Sequence, residues 1–211
     1  MSWEEVKGKL KIRACEILMK TNAISFGEFI LTSGKKSPFY IDMRVIPSFP
    51  KLFDEVCDMY VKMIKNEIAK VDRVAGVPTA GLPFATLVSY KLGLPLIYVR
   101  KEQKTHGKGR MVEGILRKGD NVLIIDDLIT TGGSLINSVN NVREEGGIVK
   151  DVAVFLDREQ GGRDNLKKIG VKLHSILGIM ELMRYLREQN FLDEETYLKC
   201  INYIEEEKAS K

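Results

Sequence analysis

Four short apolar runs constrain the fold of this chain more than any other feature of its sequence. The runs are 73–77 (RVAGV), 95–99 (PLIYV), 121–125 (NVLII) and 152–156 (VAVFL), separated by helical patterns or by one long polar loop. Their length and their branched side chains are typical of strands that are buried on both faces of a sheet. Strands that alternate with helices predict an α/β fold with a mostly parallel central sheet flanked by helices.

The first 45 residues predict a small subdomain beside this sheet. Residues 2–20 carry apolar side chains at helical spacing, so we expect an amphipathic first helix. Residues 26–44 contain two β-rich runs around Ser33-Gly34-Lys35-Lys36, which is typical of a hairpin. We therefore expect residues 1–45 to form a helix and a hairpin outside the main sheet.

Helical patterns also precede the sheet and end the chain. Residues 50–69 have one apolar side at helical spacing, and Pro50 occupies a favoured helix-start position. The tail from Leu182 to Glu207 predicts two short helices, the second beginning at Asp193.

Composition favours one cytoplasmic domain over residues 1–211. A chain of 211 residues that is 44% hydrophobic can bury one large core, and 29% charged residues are too many for a membrane protein. The first twenty residues lack the apolar core of a signal peptide. Three widely spaced cysteines and two histidines indicate neither a disulfide framework nor a zinc site. A net charge of +4 favours anionic partners only weakly.

Polar clusters follow the ends of the four predicted strands. They are 78–81 (PTAG), 100–110 (RKEQKTHGKGR), Asp126-Asp127 and Asp157-Arg158. Because ligands of open parallel sheets bind beyond the carboxyl ends of the strands, the four clusters can form one site.

The stretch VLIIDDLITTGGS (122–134) indicates what that site binds. Two carboxylates at the end of a buried strand are costly unless they face a cleft, although an Asp pair alone is as readily a turn cap. Hydroxyls and glycines from Thr130 to Ser134 precede an amphipathic helix, so backbone N–H groups and hydroxyls can hold a phosphate. A phosphate beside two acids suits a phosphorylated sugar, whose hydroxyls donate to the carboxylates. The chain contains neither GxxxxGK[ST] nor a GxGxxG after a strand, which disfavours nucleoside triphosphates and dinucleotides.

This stretch resembles the phosphoribosyl-pyrophosphate (PRPP) signature of the type I phosphoribosyltransferase family. Three further stretches resemble the orotate-specific branch of that family: 98–109 its mobile catalytic loop, 31–42 its base-covering hairpin, and 155–163 its orotate-binding strand end. The resemblance follows the same order along nearly the whole chain. It implies transfer of the phosphoribosyl group of PRPP to orotate, giving orotidine 5′-monophosphate and pyrophosphate in pyrimidine biosynthesis.

The resemblance also implies roles for individual residues. The residues implied in PRPP binding are Arg100, Lys101, Lys104, His106, Asp126, Asp127, Leu128, Ile129, Thr130, Thr131, Gly132, Gly133 and Ser134. The residues implied in orotate binding are Thr130, Arg158, Tyr40 and Ile41, and those implied in catalysis are Lys104, His106, Asp126 and Asp127. Many family members have lysine where this chain has Thr32 and Ala80. The absence of these lysines leaves more of the charge compensation to the cations of the lid.

The basic segment 100–110 has competing interpretations. Alone, such a run is more typical of a solvated loop or a nucleic-acid contact. Its position after a strand, with Gly107 and Gly109 as pivots, instead favours a lid that closes over pyrophosphate, with His106 donating a hydrogen bond or a proton to it. The other histidine, His174, lies in a strand-like apolar run, so we expect a structural role for it.

The resemblance further implies a cofactor and an assembly. We expect Mg²⁺ to bind mainly through PRPP and pyrophosphate, without a dedicated protein ligand. We also expect a homodimer in which each lid completes the site of the other chain. The eleven residues of the lid are long enough to reach across, since an extended chain spans up to about 3.3 Å per residue. No nucleic-acid or membrane partner is expected.

Two alternatives remain open. A phosphoribosyltransferase for another base shares the PRPP signature but does not need Arg158 or the basic lid. A PRPP-sensing regulator would bring a separate DNA-binding segment, for which residues 1–25 are too short and too acidic.

Overall fold

The computed structural model describes residues 1–30, 34–100 and 111–209. The helices are α1 (Trp3–Lys20), α2 (Pro50–Glu67), α3 (Gly81–Leu92), α4 (Gly133–Glu144), α5 (Gly162–Lys168), α6 (Ile179–Glu188) and α7 (Glu194–Ala209), with a 3₁₀ helix at Met43–Ser48. The strands are β1 (Ile24–Ile30), β2 (Lys36–Ile41), β3 (Arg73–Gly76), β4 (Leu96–Val99), β5 (Val112–Glu113), β6 (Val122–Ile129), β7 (Asp151–Asp157) and β8 (Lys172–Gly178).

The main sheet has six strands in the order β5-β4-β3-β6-β7-β8. All neighbours pair in parallel except β4 and β5, so the predicted α/β fold with a mostly parallel sheet is confirmed. The order changes direction after β5, because the chain returns to the far side of β3 to place β6. Such a switch point opens a crevice between the strands on either side of it. Here the crevice lies between the carboxyl ends of β3 and β6.

Strand β6 is longer than the apolar run that predicted it. It continues through Asp126 and Asp127, and the parallel ladder with β7 extends to the pairs Leu128–Leu156 and Ile129–Asp157. The two acids are therefore part of the strand, and the loop begins only at Thr130. Apolar side chains resume after the acids, which keeps this part of β6 against the core.

Strands β1 and β2 form an antiparallel hairpin, as predicted. Buried side chains of β2, including Phe39 and Ile41, belong to the hydrophobic cluster that also contains Cys200 and Ile204 of α7. The same cluster continues to one face of the main sheet. The hairpin thus packs against the C-terminal helix as well as against the N-terminal part of the chain.

Buried side chains account for the second histidine and the cysteines. His174 on β8 contacts Glu67 through Nδ1 at 2.7 Å and Asp151 through Nε2 at 2.8 Å, so the predicted structural role agrees with its surroundings. Although burial acts against ionisation of Glu67, hydrogen bonds from Lys7 and His174 lower its pKa to about 2. The three cysteines are free and buried.

The predicted starting points of two helices are also confirmed. Helix α2 begins at Pro50. Asp193 precedes α7 and accepts a 2.7 Å hydrogen bond from the backbone N–H of Thr196, which is the geometry of a helix cap. Within the described ranges, none of the helices combines the length and the apolarity needed to cross a bilayer.

Candidate active site

A cleft of about 320 Å³ lies at the carboxyl ends of β3 and β6. It is lined by Val77, Pro78, Thr79, Ala80, Asp126, Asp127, Leu128, Ile129, Thr130, Thr131, Gly132, Gly133, Ser134 and Leu135. All nine residues from 126 to 134 that the sequence assigned to PRPP binding line this single cleft. Helices α3 and α4 both begin beside it, so the positive ends of two helix dipoles face the same space.

Asp126 and Asp127 are both buried at the base of the cleft. The Asp126 carboxylate accepts a 3.0 Å hydrogen bond from the backbone N–H of Asp127. Burial, together with the charge of Asp127, raises the pKa of Asp126 well above its usual value, and burial also raises the pKa of Asp127. Buried acids of this kind mark functional sites, because a ligand or cation can supply the compensation that the free protein lacks.

Tyr60 holds the backbone of this acid pair in place through a hydrogen bond from helix α2. The Tyr60 side chain is fully buried on α2, and its hydroxyl donates a 2.7 Å hydrogen bond to the carbonyl of Asp126. Sequence reasoning placed Tyr60 on the apolar side of a helix but gave no signal of this contact, since the two residues are 66 positions apart.

Gly81 allows the loop after β3 to pass directly over the acids. A Cβ atom at this position would lie 2.6 Å from Asp126 Oδ1 and 2.9 Å from both Asp126 Cα and the Ile125 carbonyl oxygen. Real side chains do not tolerate such distances, so glycine is required for this close approach.

The loop from Thr130 to Gly132 leads into α4 in a conformation suited to an anion. Gly132 has φ +85° and occupies the N-cap position of α4 without a side-chain capping bond. The first N–H groups of the helix therefore lack intrahelical partners and lie at the cleft. Gly162 supports the loop from outside, because its backbone N–H donates a 3.0 Å hydrogen bond to the Thr130 carbonyl.

Arg158 lies at the same end of the sheet, directly after the neighbouring strand β7. Its backbone N–H donates to the Ile129 carbonyl at 2.9 Å, which places it next to the start of the phosphate loop. Its guanidinium lies over the Phe39 ring, with Cζ 5.3 Å from the ring centroid. The Nε and Nη2 atoms are buried without hydrogen-bond partners. Two buried donors without acceptors indicate a place where a ligand can supply them.

The hairpin residues assigned to orotate binding face opposite ways. Ile41 is buried in the core, whereas Tyr40 is partly exposed and its hydroxyl accepts a 3.1 Å hydrogen bond from Arg44. Arg44 lies close enough to Asp127 to oppose the upward shift of its pKa. Sequence reasoning did not identify Arg44, and Phe39 is the hairpin side chain that contacts Arg158.

The predicted lid is described only at its first residue. Arg100 forms an ion pair with Glu113 at 2.9 Å, and its backbone N–H donates to the Met111 carbonyl at 2.8 Å. Lys101, Lys104 and His106 lie outside the described residues, as does Thr32 of the hairpin.

A larger groove of about 510 Å³ lies on the other side of the Asp157–Arg158 strand end. Three of the cations that line it are already paired: Lys7 with Glu67, Lys11 with Glu181, and Arg163 with Asp157. The smaller cleft, where the N-termini of α3 and α4 face the ligand space, is therefore the stronger candidate for an anionic ligand.

Known proteins share this fold and sequence. The sequence pattern of the phosphoribosyl transferase domain matches residues 46–178, which include β3 to β8. The chain is 42% identical over 193 residues to the orotate phosphoribosyltransferase of Staphylothermus marinus, covering 92% of this chain and 94% of that protein.

Solved structures agree with this relationship. The orotate phosphoribosyltransferase of Aeropyrum pernix matches with a TM-score of 0.75 at 34% identity, covering 85% of this chain and 99% of that one. The UMP synthase of Leishmania donovani matches with a TM-score of 0.84 at 32% identity, covering 93% of this chain and 42% of that one. The chain therefore belongs to the phosphoribosyltransferase family, and its fold is that of this class. Within the family it belongs with the orotate phosphoribosyltransferases.

Proposed function

We propose that this enzyme transfers the phosphoribosyl group of PRPP to orotate, giving orotidine 5′-monophosphate and pyrophosphate in the synthesis of UMP. The observation that carries the proposal is the meeting of two groups at one end of the sheet. The acids of β6 and the phosphate loop after it suit a phosphorylated sugar, and Arg158, directly after β7, suits a planar acid. The relatives that match most of the chain are named for this activity.

The acid pair is suited to the charge that develops on the sugar. Breaking the bond between ribose C1 and pyrophosphate leaves positive charge on the ring, and carboxylates held beneath it stabilise that charge. In the free protein burial raises the pKa values of both acids, and repulsion by the charge of Asp127 raises that of Asp126 further. Hydrogen bonds from two ribose hydroxyls and the cationic ring relieve that repulsion. The carboxylates thus act by position and charge, and neither needs to remove a proton, because the ring nitrogen of orotate is already acidic.

The phosphates of PRPP match two helix ends. The loop from Thr130 to Ser134 and the start of α4 would hold the 5′-phosphate, and the start of α3 beside Ala80 would face the pyrophosphate. Lys101, Lys104 and His106 would neutralise or protonate the leaving group from the lid. Arg100 would join them by exchanging its ion pair with Glu113.

The base subsite follows from Arg158. A guanidinium fork binds a carboxylate and a neighbouring carbonyl oxygen through two parallel hydrogen bonds, and orotate presents such an edge. Thr130 follows the last pair of the β6–β7 ladder, Ile129–Asp157, just as Arg158 does, and would contact the same ring.

Magnesium fits the chemistry of this cleft. Hard oxygen ligands suit Mg²⁺, and the two carboxylates face the space where PRPP would bring the ion. When bound, Mg²⁺ neutralises pyrophosphate oxygens and so stabilises the leaving group. The protein contributes Asp126 and Asp127 as acceptors for ribose hydroxyls or for water on the ion.

A homodimer is proposed from the outer edge of the sheet. Tyr98 on β4 and Ile115 after β5 are exposed there, as is Tyr90 on α3, which packs against β4. Three large exposed apolar side chains near this edge favour a second copy of the chain as their partner. The single-domain organisation and the cytoplasmic location stay predictions.

Competition among bases tests the proposed activity. Purified protein is incubated with PRPP and Mg²⁺ together with orotate, uracil, adenine or hypoxanthine, and nucleotide products are separated and quantified. We expect orotidine 5′-monophosphate from orotate and only trace product from the other bases. Efficient use of another base would assign the chain to a different branch of the family.

A further inference from the structure

Three buried side-chain nitrogen and oxygen atoms remain without hydrogen-bond partners among the residues that the structure describes, and all three lie beside the base subsite. They are Nε and Nη2 of Arg158 and the hydroxyl of Tyr203 on α7. Buried polar groups are almost always paired, so adjacent unpaired groups of complementary type indicate a function.

Phe39 connects these two side chains. The Arg158 guanidinium lies over the Phe39 ring at 5.3 Å, and the Tyr203 ring meets Phe39 edge-on with centroids 5.7 Å apart and planes at 85°. Burial lowers the pKa of Arg158, and the nearby Tyr203 hydroxyl opposes that effect. Tyr203 and Arg158 thus lie against the same aromatic ring, that of Phe39.

Helix α7 holds Tyr203 in a fixed position. Cys200 and Ile204, which are neighbours on the same helix face, are buried in the core beneath the hairpin. One turn further along, Glu207 accepts a 2.6 Å hydrogen bond from Lys35 of the hairpin. The C-terminal helix and the hairpin are thereby joined on both sides of Tyr203.

We propose that Tyr203 is a positioning residue of the base subsite, whose hydroxyl accepts a hydrogen bond from Arg158 and sets the plane of its guanidinium for a planar acid. This inference rests on the proposed function, in which Arg158 binds the carboxylate edge of orotate. Phe39 restricts the guanidinium from its face and Tyr203 from its edge. The remaining N–H groups then point as a fork toward the substrate, which lowers the cost of ordering them on binding.

Steady-state kinetics of Tyr203→Phe test the proposal. Phenylalanine retains the edge-on contact with Phe39 and removes only the hydroxyl, so the melting temperature should change little. We expect the KM for orotate to rise roughly 10- to 150-fold, the range for one hydrogen bond to a charged group. The KM for PRPP should stay within about twofold of wild type, because that substrate does not depend on Arg158. Tyr197→Phe makes the same change on the same helix, where the ring lies against Arg187 instead, and should leave both constants unchanged.

A double-mutant cycle separates action through Arg158 from an independent effect. In an Arg158→Ala background, Tyr203→Phe should change kcat/KM for orotate less than twofold. An unchanged orotate KM in the single variant, equal rises for both substrates, or full additivity in the cycle would each overturn the proposal. Wild-type protein is measured first: failure to use orotate would overturn the proposed function, and this inference with it. Normal wild-type turnover with an unaffected Tyr203→Phe would overturn this inference alone.

Discussion

The hydroxyl of Tyr60 donates a 2.7 Å hydrogen bond to the backbone carbonyl of Asp126. It is a fully buried contact between helix α2 and the strand that carries both acids. Because the carbonyl belongs to the backbone, the contact fixes the strand without reducing the negative charge of the side chain. The contact thus holds the acid pair in place without occupying a carboxylate oxygen.

Tyr60→Phe tests this support. The ring still fills the same core position, but the Asp126 carbonyl loses its partner, so stability should fall by about 1 kcal/mol. A small displacement of the acids should lower kcat/KM for PRPP roughly three- to tenfold, since transition-state stabilisation depends on their position. Denaturant unfolding and kinetics measure the two effects. Tyr185→Phe on α6 is the matched control and should be neutral in both; wild-type turnover in Tyr60→Phe would contradict the role given to Tyr60.

At neutral pH, Asp126→Asn should raise the stability of the folded protein and abolish its activity. Burial and the charge of Asp127 raise the pKa of Asp126 in the folded state. Between the usual carboxyl pKa and this raised value, the folded protein keeps a proton that the unfolded chain has lost, so stability falls as pH rises. Asparagine carries no charge, so the variant avoids this fall in stability, and its side-chain oxygen can still accept a hydrogen bond from the Asp127 N–H.

Thermal unfolding across pH measures this effect. The variant should melt above wild type at pH 7, and the two melting temperatures should converge as the pH falls to about 4, where the carboxyl regains its proton in both states. A variant that melts below wild type at pH 7 would show that the Asp126 charge stabilises the fold.

Gly81→Ala should damage the site more than the fold. The new Cβ would lie 2.6 Å from Asp126 Oδ1, so the loop or the acid must move. A shift of this size should lower kcat roughly 10- to 100-fold. Gly8→Ala in α1 is the control, because nothing lies within 4 Å of its Cβ and alanine should stabilise that helix by about 0.5–1 kcal/mol. Steady-state kinetics measure both variants, and equal activity of the two would contradict the close approach at Gly81.

Mixing two inactive variants tests the sharing of the lid between subunits. Lys104→Ala removes a cation from the lid and Asp127→Asn removes an acid from the cleft. If each lid serves the other chain, a mixed dimer has one site with both lesions and one intact site. Dissociation and random reassembly should then restore roughly a quarter of wild-type activity, since half of the dimers are mixed. A mixture that stays inactive although mass measurements show subunit exchange would assign the lid to its own chain.

Local patterns predicted much of the fold and of the phosphate-binding half of the site. The apolar runs identified β3, β4, β6 and β7, and the thirteen residues from 122 to 134 contained both the acids and the loop that line the cleft. These features are contiguous in sequence, so spacing alone reveals them. The extension of β6 through the acids was missed, because carboxylates in a buried strand contradict the usual pattern and are tolerated only beside a ligand site.

Contacts between distant segments could not be predicted in the same way. Helical periodicity indicates that Tyr60 is buried, but only the packing of α2 on the sheet brings it to Asp126. Tyr203 lies 45 positions after Arg158, on a helix whose sequence pattern says nothing about its partner. Arg44 likewise approaches Asp127 only because the 3₁₀ helix after the hairpin brings it to the cleft.

Pyrophosphate release from PRPP, measured with and without orotate in the presence of Mg²⁺, tests the central claim most directly. The account predicts that pyrophosphate release requires orotate and equals the formation of orotidine 5′-monophosphate mole for mole. The reason is that the positively charged sugar must react with the base as the pyrophosphate leaves. The same assay with Asp126→Asn combined with Asp127→Asn should give almost no release from a folded protein. Release that does not depend on orotate, or full activity in the doubly substituted protein, would contradict the account.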